Sequence, residues 1–505
     1  MGSGKTEPDI VRFRLAKMVA VGAVTSSSVR IWCCSDGESR CRIEVRAESG
    51  TGRPPKTAEL ELSAEADHTG SVRIDGLEPL TEYHFEAFAG SDEESLGSGR
   101  FRTAPDESDA CQEPIAFAIA SCHLPFATDG HFSKHSREML EATRRCFEEH
   151  DIRFAIFNGD QLYADQPAGW SLYDETYLRD VLKAGSSDLR DLSSDEIRKI
   201  FQERYRTFWA QEPWQRIHAM MPCYTIWDDH EIIDNWGSDE SHTEPGWQRV
   251  FQGAREAFFD YQGARQLDRT NPIPEDFDLG FDFGDLSFYL LDLRSQRRVG
   301  DDPQICSNQQ FENLKAFLQD RGDRSAVFLV LSVPLIHVPR SIARFGARVT
   351  PDGEDFSDRW STRGHESDRQ KMLQLLRDQL RAFPKRRLVL LSGDIHVGSA
   401  HELEWDGDTP SALQFVSSAL TNRAAFLARA LSALAVSVPL HLTVNGEERV
   451  HCRLLPKDEG KNPYLGLNVG IVETRRRAEG GREVRFLLYG HKGEEPKLAY
   501  RSPWL

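Results

Sequence analysis

Acidic and imidazole side chains follow three separate β-type runs in this chain. They lie in residues 158–165, 227–231 and 393–396, and each segment comes directly after a run of β-branched and apolar residues. Ligands of open α/β sheets bind at the carboxyl ends of the strands, so we expect these side chains to meet. Carboxylates, a phenol and imidazoles together suit more than one metal ion. Two metal ions in one site indicate hydrolysis of a phosphate ester.

Charge and hydropathy restrict the partners and the location of the chain. Its 62 Lys+Arg against 80 Asp+Glu give a net charge of −18. Binding to a nucleic-acid backbone depends on Lys and Arg, so no stable nucleic-acid partner is expected. No apolar run is long enough for a transmembrane segment, and residues 1–10 lack a signal-peptide core. The nine cysteines lack CxxC spacing, which favours reduced thiols and a reducing compartment. We expect a cytoplasmic protein; the alternative is export by a signal missing from this sequence.

The first part of the chain predicts a small all-β domain. Three runs alternate between apolar and polar side chains, namely 28–32, 42–45 and 71–74. Residues 76–85, with Tyr83, are typical of the tyrosine corner of a fibronectin III- or immunoglobulin-like sandwich. Residues 97–109, rich in Ser, Gly, Asp and Glu, are predicted to end the domain and form a linker. We therefore place a first domain at residues 10–105 and a second at 112–505.

From residue 114 onward, strands and helices alternate, which indicates an α/β fold. The predicted strands are 115–121, 154–157, 224–227, 327–333 and 388–392. The predicted helices are 134–149, 197–209 with a capping box at 193–196, and an apolar, buried or lid-forming helix within 424–438. Two predicted hairpins, within 280–293 and at 466–473 with 483–489, indicate a mixed sheet or two packed sheets.

Asp160 is the candidate for a ligand that bridges two ions. It follows a strand and a glycine, so its carboxylate can approach the ions closely. Tyr163, three residues later, can face the same ions, and a phenolate favours a hard trivalent metal such as ferric iron. The alternative is an ordinary turn with a capping Asp, and the two other acidic strand ends argue against it.

Trp227-Asp228-Asp229-His230-Glu231 places four ionisable side chains in a row. A surface charge run is the alternative, but the flanking residues are apolar. Adjacent carboxylates repel each other unless cations compensate, so Asp229 is predicted to bind metal. His230 is the candidate to orient phosphate and protonate the leaving oxygen, and Asp228 or Glu231 is predicted to orient its imidazole.

Two further strand ends carry candidate ligands. In an extended segment, Asp394 and His396 point to the same side, so both are predicted to face the site; a satisfied core histidine is the alternative for His396. Cys122 ends the first strand of the second domain. Most buried cysteines are structural, but the position of Cys122 at a strand end also suits a thiolate ligand. His123 is then the candidate partner that supports this ligand.

Arg294 lies at the end of another predicted strand, in Leu291-Asp292-Leu293-Arg294. A guanidinium suits bidentate recognition of phosphate, so Arg294 is predicted to neutralise phosphate charge. A structural salt bridge is an equally open alternative. No Gly-x-Ser-x-Gly motif is present, so a serine-nucleophile hydrolase has no support.

With these residues in place, the chain resembles the PhoD-like metallophosphatases, also called alkaline phosphatase D. The resemblance is carried by residues 120–122, 158–165, 225–231, 234–236, 291–294 and 392–396. It implies a four-layer α/β/β/α metallophosphatase sandwich that holds iron and calcium and hydrolyses phosphate monoesters and diesters. The N-terminal sandwich is similar to the N-terminal domain of that family.

The resemblance also implies two sets of ligands. One set, around iron, consists of Cys122, Asp160, Tyr163 and His396. The other set, around calcium, consists of Asp160, Asp229, Asp394 and Asn235. Many relatives are exported by the twin-arginine route, and no such signal stands in this sequence.

The sequence therefore predicts a metal-dependent phosphoesterase that uses a metal-activated hydroxide. Its substrate would be a small-molecule or polymeric phosphate ester. Zinc or manganese is the alternative to iron and calcium. Two other functions stay open, namely a binding protein with an inactive phosphatase-like domain and a metallohydrolase of a non-phosphate bond.

Overall fold

The computed structural model describes residues 7–48, 54–90, 94–106, 113–337, 360–362, 364–424, 426–444, 448–478 and 480–505. The described residues form two sheets in the N-terminal part and two larger sheets in the remainder. Within them, no helix is long and apolar enough to cross a membrane.

The N-terminal part is a β-sandwich. Its strands are β1 (Met18–Val24), β2 (Ser28–Cys34), β3 (Arg40–Ala47), β4 (Lys56–Glu61), β5 (Thr69–Asp75), β6 (Glu82–Ala89) and β7 (Glu94–Arg102). One sheet has the order β1-β2-β5 and the other β4-β3-β6-β7. The Glu78 N–H donates to the Tyr83 hydroxyl over 2.9 Å, so the predicted tyrosine corner is confirmed.

Residues 97–109 were predicted to end the domain and form a linker, and residues 97–102 form the end of β7, which pairs with β6. The sequence did not predict this strand. Gly99 has a packing reason, because a Cβ there would collide with the Ala219 carbonyl oxygen. Residues 107–109 lie outside the described residues, and the domain boundaries at 105 and 112 stay a prediction.

Buried contacts tie the sandwich to the rest of the chain. The side chain of Trp32 is fully buried and donates its indole N–H to the Asp260 carbonyl over 2.8 Å. The Arg265 guanidinium stacks on the Trp32 ring at 4.7 Å. Arg206 donates to the Leu15 carbonyl over 2.7 Å and pairs with an Asp67 carboxylate at 2.5 Å. The two parts therefore share an interface with a buried charge.

Helices separate or flank the strands of the second part. They are α2 (Lys134–Glu149), α3 (Ser194–Phe208), α4 (Glu212–Ala219), α5 (Pro245–Tyr261), α6 (Asn308–Asp320), α7 (Glu366–Ala382) and α8 (Phe426–Ser437), with a short α1 (Asp9–Arg12) at the N-terminus. The predicted capping box at Ser193 and Glu196 opens α3. In α8, the helix predicted to be buried or lid-forming, Ala435 is buried but Leu434 is 58% exposed.

The second part contains two packed sheets. The first has the order β10-β9-β8-β20-β21-β22-β19 and is built from β8 (Ile115–Ala120), β9 (Ala155–Asn158), β10 (Cys223–Ile226), β19 (Glu459–Gly460), β20 (Val469–Arg476), β21 (Arg482–Lys492) and β22 (Glu495–Arg501). The second has the order β11-β12-β13-β14-β16-β15-β18-β17 and is built from β11 (Leu279–Phe283), β12 (Leu286–Leu291), β13 (Ala326–Leu331), β14 (Arg387–Ser392), β15 (Ser399–Trp405), β16 (Ala412–Val416), β17 (Leu440–Val444) and β18 (Glu448–Leu454).

Phenylalanine rings fill the space between these two sheets. The ring centroids of Phe117 and Phe328 are 5.0 Å apart, and those of Phe154 and Phe288 are 5.2 Å apart. Burying such rings drives sheet packing, and edge-to-face contacts add to it. The predicted mixed α/β fold with two packed sheets, preceded by an all-β domain, is confirmed.

Candidate active site

Parallel strands bring the three acidic segments together. β8, β9 and β10 run parallel in one sheet, and β12, β13, β14 and β16 run parallel in the other. Their carboxyl ends lie at one edge of the packed sheets. There Asp160, Asp228, Asp229 and Asp394, all buried, each offer one oxygen within 4.8 Å of the others. Mutual repulsion makes this arrangement costly without cations.

Asp160 lies at the centre of the site. Its Oδ2 is 3.3 Å from Cys122 Sγ and 3.2 Å from the Tyr163 hydroxyl. Its Oδ1 is buried and has no hydrogen-bond partner. Burial, together with the charges of Cys122 and nearby aspartates, raises the pKa of Asp160 well above its ordinary value. The charge of His230 opposes only part of this effect, and a cation would stabilise the carboxylate further.

Glycines at two strand ends permit this close approach. Gly159 has φ +102°, and a Cβ there would lie 2.6 Å from the Asp228 Cβ. A Cβ at Gly393 would collide with the Ser121 hydroxyl. Any side chain at either position would separate the ends of neighbouring strands.

Cys122 and Tyr163 are both fully buried beside Asp160. Burial raises the pKa of the Cys122 thiol above its ordinary value, although hydrogen bonds from Ser121 and Ser418 oppose the effect. Burial and the charge of Asp160 raise the pKa of Tyr163 well above its usual range. Both groups therefore stay protonated in the protein alone, and ligation would require a metal that displaces the protons.

His230 is oriented by a residue that the sequence did not indicate. Its Nδ1 lies 2.8 Å and 3.0 Å from the two carboxylate oxygens of Asp165, and its ring stacks on Tyr163 at 4.1 Å. The prediction that Asp228 or Glu231 holds this imidazole is therefore wrong. Burial lowers the pKa of His230, but Asp165, Asp160 and Asp229 together raise it well above its ordinary value.

Glu231 instead joins two of the site loops. Its carboxylate accepts the backbone N–H groups of Asp160 at 3.0 Å, Gln161 at 2.6 Å and Asp228 at 2.9 Å. Burial raises the pKa of this carboxyl to about 7. The residue holds the loops after β9 and β10 in register and does not touch the imidazole.

Arg294 pairs with the aspartates of the site. Its guanidinium is fully buried, contacts the Asp228 carboxylate and lies 3.5 Å from Asp229 Oδ2. It also donates to the Trp236 carbonyl over 3.2 Å. These contacts favour the salt-bridge alternative over direct phosphate recognition. They place Asp228 among the acidic residues of the site, not beside His230.

Two predicted ligands lie at the margin of this cluster. Asn235 donates its backbone N–H to Asp229 Oδ2 over 2.8 Å. His396 is outside the groups of converging ligand atoms found among the described residues. The expected extended backbone at 394–396 is wrong, because Asp394 and His396 adopt φ of 64° and 55°. Cys122, Asp160 and Asn235 are left-handed as well, and such strain concentrates at functional sites.

Two residues near the predicted ligands carried no signal of their own. Ser418 lies 3.1 Å from Cys122 Sγ and accepts the His396 N–H over 3.0 Å. Asn422 hydrogen bonds to the Tyr163 side chain. Both follow β16, a strand end that lacks acidic residues. His123, predicted to support Cys122, instead stacks on Trp214 at 4.1 Å.

Known proteins resemble both parts of the chain. Residues 117–434 match the family model of the PhoD-like phosphatases, and residues 3–105 match that of the PhoD-like phosphatase N-terminal domain. Alkaline phosphatase D of Bacillus subtilis (strain 168) is 22% identical over 378 residues, which cover 70% of this chain but only 58% of that relative. A solved structure of PhoD superposes with a TM-score of 0.63 at 16% identity, covering 99% of this chain and 93% of that one.

Proposed function

The chain belongs to the PhoD-like phosphatase family, and on that premise we propose that it is a metal-dependent phosphoesterase acting on phosphate monoesters or diesters. The observation that carries the proposal is the buried group of Asp160, Asp228, Asp229 and Asp394, whose oxygens lie within 4.8 Å of one another. Arg294 pairs with two of these buried carboxylates, and bound cations would offset the remaining negative charge. Cations held at a sheet edge suit the charge of a phosphate ester.

The residues present fit two cations of different character. Asp160, Cys122 and Tyr163 offer a carboxylate, a thiol and a phenol. The thiol and the phenol lie 3.3 Å and 3.2 Å from Asp160 Oδ2, and this set suits iron. Asp228, Asp229 and Asp394 offer only hard oxygen atoms, which suit calcium. Asp160 belongs to both sets and is the proposed bridge. His396 and the side chain of Asn235 remain proposed ligands.

The chemistry divides between the cations and the chain. When bound, two cations would neutralise the phosphoryl oxygens and supply hydroxide at neutral pH. His230 would donate a proton to the leaving oxygen, because its pKa is held above the usual value. Asp165 would hold the imidazole through Nδ1, which leaves Nε2 for the substrate.

Asp160→Asn tests the proposal. The variant should lose bound metal, and its turnover should fall more than about 100-fold. Loss of a residue that only supports a metal ligand costs up to about 100-fold, so loss of a ligand itself should cost more. Asp36→Asn is the matched control, because Asp36 is 61% exposed in an ion pair with Arg14. Elemental analysis, circular dichroism, and hydrolysis of p-nitrophenyl phosphate and bis(p-nitrophenyl) phosphate would be compared.

Two outcomes would contradict the proposal. Parental turnover in a folded Asp160→Asn protein would reject the bridging assignment. A metal-loaded wild type that hydrolyses neither ester would favour an inactive, binding protein. If the wild type hydrolyses these esters, inorganic phosphate should inhibit it competitively.

A further inference from the structure

Apart from the active-site groups, one cluster among the described residues brings metal-ligating side chains together. His135 and Glu138 lie one turn apart in α2, and His491 lies in β21. Each offers one ligand atom, and the three atoms are within 4.8 Å of one another. Two imidazoles and a carboxylate are ligands that zinc commonly takes in proteins.

Glu138 lies close to both imidazole rings. Its Oε2 is 3.8 Å from His135 Nδ1 and 3.7 Å from His491 Nδ1. Both distances exceed those of hydrogen bonds, so the carboxylate approaches the two rings without bonding to either. Zinc bonds of about 2.0–2.1 Å place neighbouring ligand atoms roughly 3.3 Å apart, which is close to the 3.8 Å between Glu138 and His135.

The surroundings hold the ligands in place. Glu138 and His491 side chains are only 18% and 15% exposed. The His491 Nδ1–H donates to the Gly493 carbonyl over 3.1 Å, which orients the ring and leaves Nε2 as the metal-binding nitrogen. The alternative is a pair of ordinary ion pairs between Glu138 and the two rings, whose centroids lie 5.9 Å apart. Lys134 also lies 3.6 Å from Glu138.

A cavity of about 180 Å³ borders the cluster and is lined in part by His135, His491, Arg423 and Arg429. The Arg429 guanidinium donates to the Ala424 and Leu465 carbonyls at 3.0 Å and 2.5 Å, and Arg423 is exposed. Carbonyl oxygens therefore solvate the Arg429 charge and water solvates that of Arg423, which weakens their repulsion of a cation. The cavity leaves room for a water molecule or a small anion as a fourth ligand.

We propose that His135, Glu138 and His491 bind one Zn²⁺ ion at a site separate from the active site. The ion would link α2 to β21. Nearby, Arg145 of α2 already pairs with Glu494, in the turn after β21, and with Glu495, the first residue of β22. Zinc bound to the folded protein would therefore raise its thermal stability.

Zinc uptake by the full-length, metal-loaded protein tests this site. After incubation with excess ZnCl₂ and gel filtration, wild type should hold one more zinc per chain than His491→Ala or Glu138→Gln. The comparison is independent of the active site, which these variants share. His131→Ala is the matched control, because this histidine lies four residues before His135, is 38% exposed and contacts Asp9 instead.

Two further readouts make the result decisive. Zinc should raise the melting temperature of wild type and His131→Ala but not that of His491→Ala, and the three should melt alike without zinc. Asp160→Asn should keep the extra zinc, which separates this site from the proposed function. Equal zinc content in wild type, His491→Ala and Glu138→Gln would overturn the proposal, as would an identical thermal shift in all variants.

Discussion

Replacing Asp165 with Asn should slow the hydrolysis of esters with poor leaving groups by about 10- to 100-fold. Both Asp165 oxygens lie within 3.0 Å of His230 Nδ1, and the two side chains are only 11% and 9% exposed. A buried hydrogen bond to a charged group contributes about 1.5–3 kcal/mol. Since roughly 1.4 kcal/mol changes a rate tenfold, losing the bond from the transition state gives the predicted range.

The loss should be greatest at alkaline pH. Although burial lowers the pKa of His230, three carboxylates raise it well above its ordinary value. Two of them, Asp160 and Asp229, are proposed metal ligands and would be neutralised by cations, whereas Asp165 is outside the converging carboxylate groups. Without Asp165 the imidazole loses its proton at lower pH, so the alkaline side of the rate profile falls first.

The assay compares pH–rate profiles for an alkyl phosphate ester and a p-nitrophenyl ester. The p-nitrophenolate group leaves without a proton donor, so Asp165→Asn should affect it far less. Asp234→Asn is the control, because Asp234 lies 3.8 Å from His230 Nε2 and is 46% exposed. Equal losses on both esters, or profiles that match those of Asp234→Asn, would refute the role of Asp165 in proton donation.

Three other predictions concern the metal set, the domain interface and the strand ends. If Tyr163 binds ferric iron, the protein should be violet or purple, and Tyr163→Phe should remove that visible band; a colourless wild type containing iron would contradict the assignment. Arg206→Met should lower the urea-unfolding free energy by about 3–5 kcal/mol, because it leaves a buried ion pair broken, whereas Arg14→Met, at a pair 44% exposed, should cost at most about 1 kcal/mol. Gly393→Ala should release metal without unfolding the protein, since its Cβ meets Ser121 at the site; unchanged metal content would show that this strand end can shift.

The sequence predicted the elements whose signal is local. Helix α2 has the predicted bounds Lys134–Glu149, and the carboxylates at three strand ends do converge. Strand ends are predictable because apolar runs and the residues that follow them are adjacent in the chain. That these residues bind metal and perform catalysis stays a prediction.

The failures involve contacts between distant segments. Asp165 orients His230 from 65 positions away, so adjacency wrongly suggested Asp228 and Glu231. The end of β7 at residues 97–102 was not predicted as a strand, because the reason for Gly99, the close approach of the Ala219 carbonyl, lies over 100 residues later. Side-chain alternation at Asp394 and His396 failed because their backbone is left-handed.

The order of strands in the first large sheet has a consequence for synthesis of the protein. β8, which ends beside Cys122, is internal only because β20 (Val469–Arg476) pairs with it. Until those residues have been translated, β8 is an edge strand with unpaired amides on one side. The other side of β8 is already paired with β9, and the Cys122 N–H donates to the Gly159 carbonyl over 3.3 Å. The edge of β8 that faces away from Asp160 is therefore closed only late in translation, whatever the order in which the N-terminal sandwich folds.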